Sequence, residues 1–315
     1  MRATIVYGFL GAGKTTLLRS VMPRLTKIEP TVLLVNEFGV EGTDQIVFAS
    51  DNLIVRELTG GCVCCEVRGE LLLALDQIHK TLDPARLVIE PTGLASPDTF
   101  GNVFGSPAVR SSVTVDSIIT VIDASNFALV RDSLGEFYPR QVGDADLVVI
   151  NKQDVASEAQ RAEAHEWARS LNPSATVIET VRCNMDPDVV VATIRQGHAR
   201  IMGEAPSEGL RAGTHDGLSA LGLQRVVLTT DAWDSEMVER FVQDLANEAY
   251  GEVIRAKGFV PTGTGSLLID VVLGGWEIRP FGLAPSRIDV IGRNLAPYEM
   301  EQVFKNGITE FTRTT

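Results

Sequence analysis

The sequence predicts an α/β fold in which a parallel sheet, with helices on both faces, is followed by a smaller α+β domain. Short, nearly continuous apolar runs are typical of buried parallel strands, and they occur at residues 3–7, 31–35, 86–90, 117–123, 145–150 and 175–180. Amphipathic patterns between these runs predict helices over residues 14–26, 67–82, 125–134 and 157–171. Strands that alternate with helices form a parallel sheet, and ligands bind such a sheet at the carboxyl ends of its strands.

The 315 residues are enough for two domains. We expect the first domain over residues 1–201. Residues 202–218 are rich in glycine and polar side chains, which is typical of a linker. Residues 219–315 are then expected to form the second domain. Its predicted elements are strands at 222–230, 265–273 and 286–292 and a helix over 234–250 that begins at Asp234 or Ser235.

The charge balance argues against two classes of partner. The chain has 28 Lys and Arg against 41 Asp and Glu, a formal charge of −13, so it lacks the basic footprint that nucleic acids or anionic membranes require. It also has no apolar run of membrane-spanning length and no signal-like N-terminus. We therefore expect a cytoplasmic protein whose partner is another protein or a small ion.

The first strand leads into a phosphate-binding loop. Residues 8–15 read Gly-x-x-x-x-Gly-Lys-Thr, and a helical pattern follows. Glycine allows the loop to turn its N–H groups towards phosphates, Lys14 can reach the β and γ phosphates, and Thr15 can offer a hydroxyl to Mg²⁺. The sheet is therefore expected to be that of a P-loop NTPase. The residues predicted to bind nucleotide here are Gly11, Ala12, Gly13, Lys14, Thr15 and Thr16.

The strand at 145–150 ends in Asn-Lys-x-Asp, a pattern that predicts guanine recognition. The carboxylate of Asp154 can accept hydrogen bonds from the ring N–H and the exocyclic amine of guanine, and adenine offers neither in that place. Adenine nucleotides are then rejected because buried polar groups stay unpaired. Asn151, Lys152 and Asp154 are the predicted base-binding residues.

Two further strand ends can complete a hydrolytic site. Glu90 follows a buried strand and can hold Mg²⁺ through water, and Gly93 can approach the γ phosphate through its N–H. Glu37 follows the strand at 31–35 and is predicted to position water or metal. We therefore predict Lys14, Glu37 and Glu90 as catalytic residues. No arginine finger can be assigned by spacing, so we expect slow intrinsic hydrolysis of GTP to GDP.

Three of the four cysteines lie in the sequence Cys62-Val63-Cys64-Cys65. Such close thiols suit one soft metal ion better than an unstrained disulfide. In an extended stretch Cys62 and Cys64 point to one side and Cys65 to the other, which favours two thiolates plus a carboxylate as ligands. Inert buried cysteines and a redox or regulatory thiol cluster are the alternatives. Cys183 stands apart and is expected in the core.

The motifs GFLGAGKTTLL, NEFG, GGCVCC, LVIEPTG and NKQD occur here in this order. With them the chain closely resembles the P-loop GTPase family of metallochaperones and enzyme activators, in its cobalamin-synthesis-like (CobW) branch. The resemblance implies GTP and Mg²⁺ at Lys14, Thr15 and Glu90, and Zn²⁺ or Co²⁺ at the cysteine motif. It also implies that GTP hydrolysis weakens the metal site and releases the ion to a client protein.

This chain departs from many relatives at the position after Asn-Glu-Phe-Gly, where Val40 replaces an acid and Glu41 follows one residue later. Glu37 and Glu41 are the predicted oxygen ligands of the transition metal. There is no histidine-rich segment, which disfavours zinc or nickel storage. The alternative function is a GTPase that assists cofactor loading of a corrinoid or other metalloenzyme, with a structural or redox role for the cysteines. A homodimer is possible, and the second domain is the expected client-binding surface.

Overall fold

The structure is a computed structural model that describes residues 1–35, 54–57, 65–91, 93, 97–134, 137–200, 222–230 and 233–303. The described residues form two compact units, 1–200 and 222–303, each with its own hydrophobic core. The predicted linker at 202–218 lies outside the described residues. Within these ranges, the structure contains no helix that combines the length and the apolar character needed to cross a membrane.

The first unit is built on a seven-stranded parallel sheet with the strand order β3-β2-β4-β1-β5-β6-β7. Its strands are β1 (Arg2–Gly8), β2 (Thr31–Val35), β3 (Ile54–Glu57), β4 (Arg86–Glu90), β5 (Thr114–Asp123), β6 (Leu147–Asn151) and β7 (Thr176–Glu179). Six of them match the predicted apolar runs. The sequence did not predict β3, because this edge strand has four residues and two of them are charged.

Helices cover both faces of this sheet, as the sequence predicts. They are α1 (Lys14–Ile28), α2 (Cys65–Thr81), α3 (Pro97–Gly105), α4 (Pro107–Arg110), α5 (Phe127–Leu134), α6 (Phe137–Gly143), α7 (Glu158–Leu171) and α8 (Pro187–Gln196). Val6 of β1 packs in one cluster with α1 and α8. The next residue, Tyr7, meets the ring of Phe100 in α3 edge-on, with the centroids 5.9 Å apart. Because successive strand residues face opposite sides, these helices lie on opposite faces.

The amino edge of the sheet is tied by a buried ion network. Arg86, at the start of β4, is fully buried and donates to both carboxylate oxygens of Asp116 on β5, at 2.8 and 3.1 Å. Its Nε donates to Glu29 at 2.6 Å. Ligands of parallel sheets bind at the carboxyl edge, so this network serves structure at the opposite end of the sheet from the predicted site.

The second unit is a five-stranded antiparallel sheet with the order β11-β10-β9-β12-β8. Its elements are β8 (Gln224–Leu228), α9 (Ser235–Ala246), β9 (Glu252–Thr262), β10 (Gly265–Val272), β11 (Gly275–Phe281) and β12 (Arg287–Arg293), followed by helical residues 297–303. Asp234 caps α9 by accepting from the N–H of Met237 at 2.8 Å. The helix ends four residues before the predicted 250, and Glu248 then takes a left-handed conformation with φ of 60°.

The sequence did not predict β9 and β11. Two charged residues, Arg255 and Lys257, interrupt the apolar pattern of β9, although β9 lies inside the sheet. Lys257 pairs in register with Asp270 on β10 and with Asp289 on β12, so its neighbours across the sheet are acidic. Strand β11 lies at the sheet edge and is largely exposed, including Trp276 at 43%. An exposed edge strand lacks the apolar run on which the prediction relies.

Candidate nucleotide site

The phosphate loop lies between the end of β1 at Gly8 and the start of α1 at Lys14. Gly13 precedes the helix with φ of 115°, a conformation that residues with side chains rarely adopt. A Cβ atom at this position would lie 2.5 Å from Nδ2 of Asn151 and 2.8 Å from Sγ of Cys183. Both the backbone and the available space therefore require glycine here.

Lys14 is buried at 7% exposure, and its ammonium group lies against the loop itself. Nζ donates to the carbonyl oxygens of Gly8 at 3.0 Å and Phe9 at 3.3 Å. These contacts hold a positive charge inside the glycine-rich turn, next to the N-terminus of α1. Positive charge and a helix N-terminus together favour an anionic ligand such as a phosphate.

Thr15 and Glu90 meet where α1 begins and β4 ends. The hydroxyl of Thr15 donates to Oε1 of Glu90 at 2.8 Å, and Glu90 is buried at 6% exposure. A hydroxyl and a carboxylate side by side supply the oxygen ligands that Mg²⁺ prefers. These two residues therefore fit the predicted magnesium site.

Gly93 lies directly against the phosphate loop. A Cβ atom at this position would come within 2.3 Å of the backbone nitrogen of Leu10. The loop after β4 and the phosphate loop thus approach each other backbone to backbone, which only glycine permits. This places Gly93 where the sequence predicts a contact with the γ phosphate, and that contact stays a prediction.

Asn151 joins the phosphate loop to the turn after β7. Its Nδ2 donates to the carbonyl of Ala12 at 2.8 Å. Its Oδ1 accepts from the N–H of Cys183 at 2.8 Å and from the hydroxyl of Thr180 at 3.1 Å. Both polar atoms of this buried amide are therefore used inside the protein. A contact between Asn151 and guanine stays a prediction, whereas its role in holding the site together follows from these bonds.

Lys152 and Asp154 differ in their surroundings. The ammonium group of Lys152 donates to Asp123, the last residue of β5, at 2.7 Å. Asp154 is exposed. Its carboxylate is thus accessible to a base, as guanine recognition requires.

Sequence reasoning assigned no part in the site to Thr180 and placed Cys183 simply in the core. Cys183 is indeed buried at 2% exposure, and its thiol donates to the carbonyl of Gly13 at 3.3 Å. Burial raises the pKa of this thiol to about 12, although the charge of Lys152 opposes the shift. Arg182 and Cys183 both have φ of 52°, so the turn that carries the thiol is strained. No local motif reveals these contacts, because Cys183 lies 170 residues from Gly13.

The predicted transition-metal ligands Glu37, Glu41, Cys62 and Cys64 lie outside the described residues. Cys65 is the first residue of α2, and its side chain also lies outside what is described. The strands that precede these segments, β2 and β3, run parallel to each other, and β2 runs parallel to β4. Both therefore end at the same edge of the sheet as Glu90.

The sequence of this chain is similar to that of one known protein family. Residues 2–179 match the nucleotide-binding domain of the CobW/HypB/UreG family. The chain is 28% identical over 315 aligned positions to the zinc chaperone CobW of Sinorhizobium sp., which covers 86% of this chain and 84% of the relative. It is 30% identical over 268 positions to the zinc chaperone YjiA of Escherichia coli, covering 82% and 80%.

Among solved structures, zinc-bound YjiA GTPase from Escherichia coli aligns with 98% of both chains at 24% identity, with a TM-score of 0.44. The family match covers more than half of the chain and spans the phosphate loop, Glu90 and the Asn-Lys-x-Asp turn. The chain therefore belongs to the CobW/HypB/UreG family, and its first unit is the P-loop GTPase domain of that family.

Proposed function

We propose that this protein is a GTP-dependent metallochaperone that binds Zn²⁺ or Co²⁺ at Cys62, Cys64 and Cys65 and delivers it to a client metalloprotein. The observation that carries the nucleotide part is the 2.8 Å hydrogen bond between Thr15 and Glu90 beside the phosphate loop. The metal part is supported by the thiol spacing and by the relatives, several of which are named zinc chaperones. Those names favour zinc over cobalt.

The residues of the phosphate site account for GTP binding and hydrolysis. Lys14 and the loop N–H groups are proposed to bind the β and γ phosphates, and Thr15 and Glu90 to hold Mg²⁺ directly or through water. Mg²⁺ supplies charge neutralisation at the phosphates when it is bound. Glu37 is proposed to orient the attacking water. Hydrolysis is expected to be slow, because the spacing of the motifs identifies no arginine that would contact the γ phosphate.

Topology supports a coupling between hydrolysis and metal release. Strand β3 is three strand intervals from β1 in the sheet, about 14 Å at the usual spacing. Glu37 follows the end of β2, and the cysteine motif connects β3 to α2. We propose that the segment after β2 responds to the γ phosphate and supplies Glu37 or Glu41 to the metal. Loss of the γ phosphate then removes an oxygen ligand.

A cobalt titration tests this proposal. Co²⁺ is added to metal-free protein with Mg²⁺-GTP or with Mg²⁺-GDP, and the visible absorption of tetrahedral thiolate coordination is followed. We expect a stoichiometric signal that is at least about tenfold tighter with GTP, corresponding to a coupling of about 1.4 kcal/mol. Equal affinity with the two nucleotides would contradict GTP-dependent binding.

Two cysteine variants make the titration specific. Cys64→Ala is expected to abolish the thiolate signal, because Cys64 lies between the two other thiols of the motif. Cys183→Ser removes a buried thiol outside the motif and is expected to retain the signal at saturating GTP. Because Cys183 contacts the phosphate loop, GTP binding is measured in the same variant. Loss of the signal in Cys183→Ser alone, with GTP still bound, would mean that the motif does not bind the metal. A client protein that stimulated GTP turnover without any thiolate band would favour the alternative function. The protein would then be a GTPase that assists cofactor loading, and its cysteines would have a structural or redox role.

A further inference from the structure

An ion pair between Lys152 and Asp123 connects the turn that carries Asp154 to the end of β5. Asp123 ends β5 and pairs in register with Asn151 at the end of β6. The side chain of Lys152 returns from the base-binding turn to the neighbouring strand, where Nζ lies 2.7 Å from Oδ2 of Asp123. The pair therefore joins two strands at the carboxyl edge of the sheet.

The hydrogen bonds around Asp123 stabilise its ionised form. It is 3% exposed and accepts from the N–H and hydroxyl of Ser125 at 3.0 and 2.6 Å. Asn126 donates to both of its oxygens, at 3.3 and 3.0 Å. Burial by itself raises the pKa of Asp123, but the hydrogen bonds and the charge of Lys152 outweigh it, and the pKa is lowered. At neutral pH Lys152 thus faces an ionised carboxylate.

The backbone of the turn around Lys152 is well defined. Lys152 has φ of 63°, a left-handed conformation that is uncommon for a residue with a side chain. Its carbonyl accepts from Ala156 at 3.2 Å, and the N–H of Gln153 donates to Thr180 at 3.1 Å. Within this turn, Asp154 is the exposed acidic group, two residues from Lys152. A lysine side chain can reach a carboxylate two residues away in the same turn, and such an ion pair would occupy oxygens that the base needs.

We propose that Asp123 is a positioning residue for guanine recognition, because it holds the ammonium group of Lys152 away from Asp154 and leaves the Asp154 carboxylate to the base. This inference rests on the proposed GTP specificity of the site. Asp123 does not touch the nucleotide in this role. It acts through Lys152, and its effect is on the selection of the base and not on the phosphates.

The test compares the dissociation constants of GTP and ITP, since the inosine base lacks the exocyclic amine and so offers Asp154 one donor fewer. The wild-type protein is expected to prefer GTP by at least about tenfold, the usual value of a hydrogen bond to a charged group. Asp123→Asn removes the negative charge that holds Lys152, and the preference is expected to fall to about twofold or less. The double variant D123N/K152M lacks the competing ammonium and is expected to regain most of the GTP to ITP preference. Loss of any contact between Lys152 and the base weakens GTP and ITP alike and leaves their ratio unchanged.

Asp116→Asn is the matched control. Asp116 is also a buried carboxylate, paired with Arg86 at the amino edge of the same sheet. This variant is expected to lower the melting temperature and leave the GTP to ITP ratio unchanged. An unchanged ratio in Asp123→Asn overturns the inference. So does a lowered ratio that Lys152→Met does not restore, because the loss then comes from general damage. A wild-type protein that binds GTP and ITP equally overturns the guanine assignment itself.

Discussion

The side-chain amide of Asn151 donates a 2.8 Å hydrogen bond to the carbonyl of Ala12, which ties the end of β6 to the middle of the phosphate loop. The oxygen of the same amide accepts from Cys183 and Thr180 in the turn after β7. One buried side chain therefore holds the segments that are predicted to bind the base and the phosphates. A change at Asn151 is expected to disturb both ends of the nucleotide site at once.

Replacing Asn151 by alanine is expected to weaken GTP binding and stability together. The substitution leaves the buried N–H of Cys183 and the hydroxyl of Thr180 without their partner, at a cost of about 2–4 kcal/mol in the free energy of unfolding. We expect the dissociation constant of GTP to rise by about tenfold or more, since the phosphate loop loses a tether. Fluorescent nucleotide titration and thermal unfolding measure the two effects.

Asn172→Ala separates binding from stability. Asn172 is a buried amide at the amino edge, where its Nδ2 donates to Ala145 at 2.8 Å and its Oδ1 accepts from Ala175 at 3.0 Å. It should lose similar stability and keep the GTP affinity of the wild-type protein. If both variants lost GTP affinity equally, the tether role of Asn151 would be wrong.

Gly13→Ala is expected to abolish nucleotide binding. The new methyl group would lie 2.5 Å from Nδ2 of Asn151, and the φ of 115° strains any residue with a side chain. The loop must shift, and its N–H groups then miss the phosphates. The control is Gly143→Ala, because Gly143 has no atom within 4 Å of its Cβ position. Isothermal titration with GTP should show no binding in the first variant and wild-type binding in the second.

Thr15 variants test the magnesium site. Thr15→Ala removes the hydroxyl that lies 2.8 Å from Glu90, whereas Thr15→Ser keeps it. We expect the alanine variant to lower GTP turnover by about 10²-fold and to abolish the Mg²⁺ dependence of GTP binding. The serine variant should retain both within about threefold. Phosphate release measured over a Mg²⁺ titration distinguishes them, and equal activity of the two variants would exclude a metal role for the hydroxyl.

The sequence predicted elements whose signals are local. Strand β1, the phosphate loop and α1 form one continuous motif. Five strands of the parallel sheet have apolar runs because they are buried along nearly their whole length, namely β1, β2, β4, β5 and β6. The apolar residues of the sixth predicted strand, β7, are half-buried at the sheet edge. The sequence did not predict β9, because Lys257 interrupts its apolar pattern. The acidic partners of Lys257, Asp270 and Asp289, are known only from the register of the sheet. Helix α8 was missed although Asp186 and Pro187 form a recognisable start signal.

At the nucleotide site, too, local motifs are predictable from the sequence and contacts between distant residues are not. The sequence predicts Lys14, Thr15 and Asp154 as site residues, because each occupies a fixed position in a recognisable motif. The partners of Asn151 and Lys152 were not found, because Ala12, Asp123 and Cys183 lie between 29 and 139 residues from them along the chain. Which atoms an amide or an ammonium group contacts depends on the packing of distant strands. Motif spacing therefore predicts candidate residues for the site but not the contacts that these residues make with one another.

The ion network at the amino edge predicts a pH-dependent stability. Burial raises the pKa of Glu29, but the hydrogen bond and charge of Arg86, with a further contribution from Arg2, lower it below its usual value. A carboxyl whose pKa is lower in the folded state stabilises the fold above its unfolded pKa of about 4.3, and this stability is lost as the pH falls through the folded pKa.

Glu29→Gln removes that contribution. At pH 7 we expect the free energy of unfolding to fall by about 1–3 kcal/mol, because buried Arg86 loses a charged partner at 2.6 Å. The difference from the wild-type protein should shrink as the pH drops below about 4. The control is Glu163→Gln, which breaks the exposed pair with Arg131 and should cost less than about 1 kcal/mol at any pH. Urea unfolding across pH 3 to 7 measures both, and a difference for Glu29→Gln that stayed constant down to pH 3 would mean that its charge does not stabilise the fold.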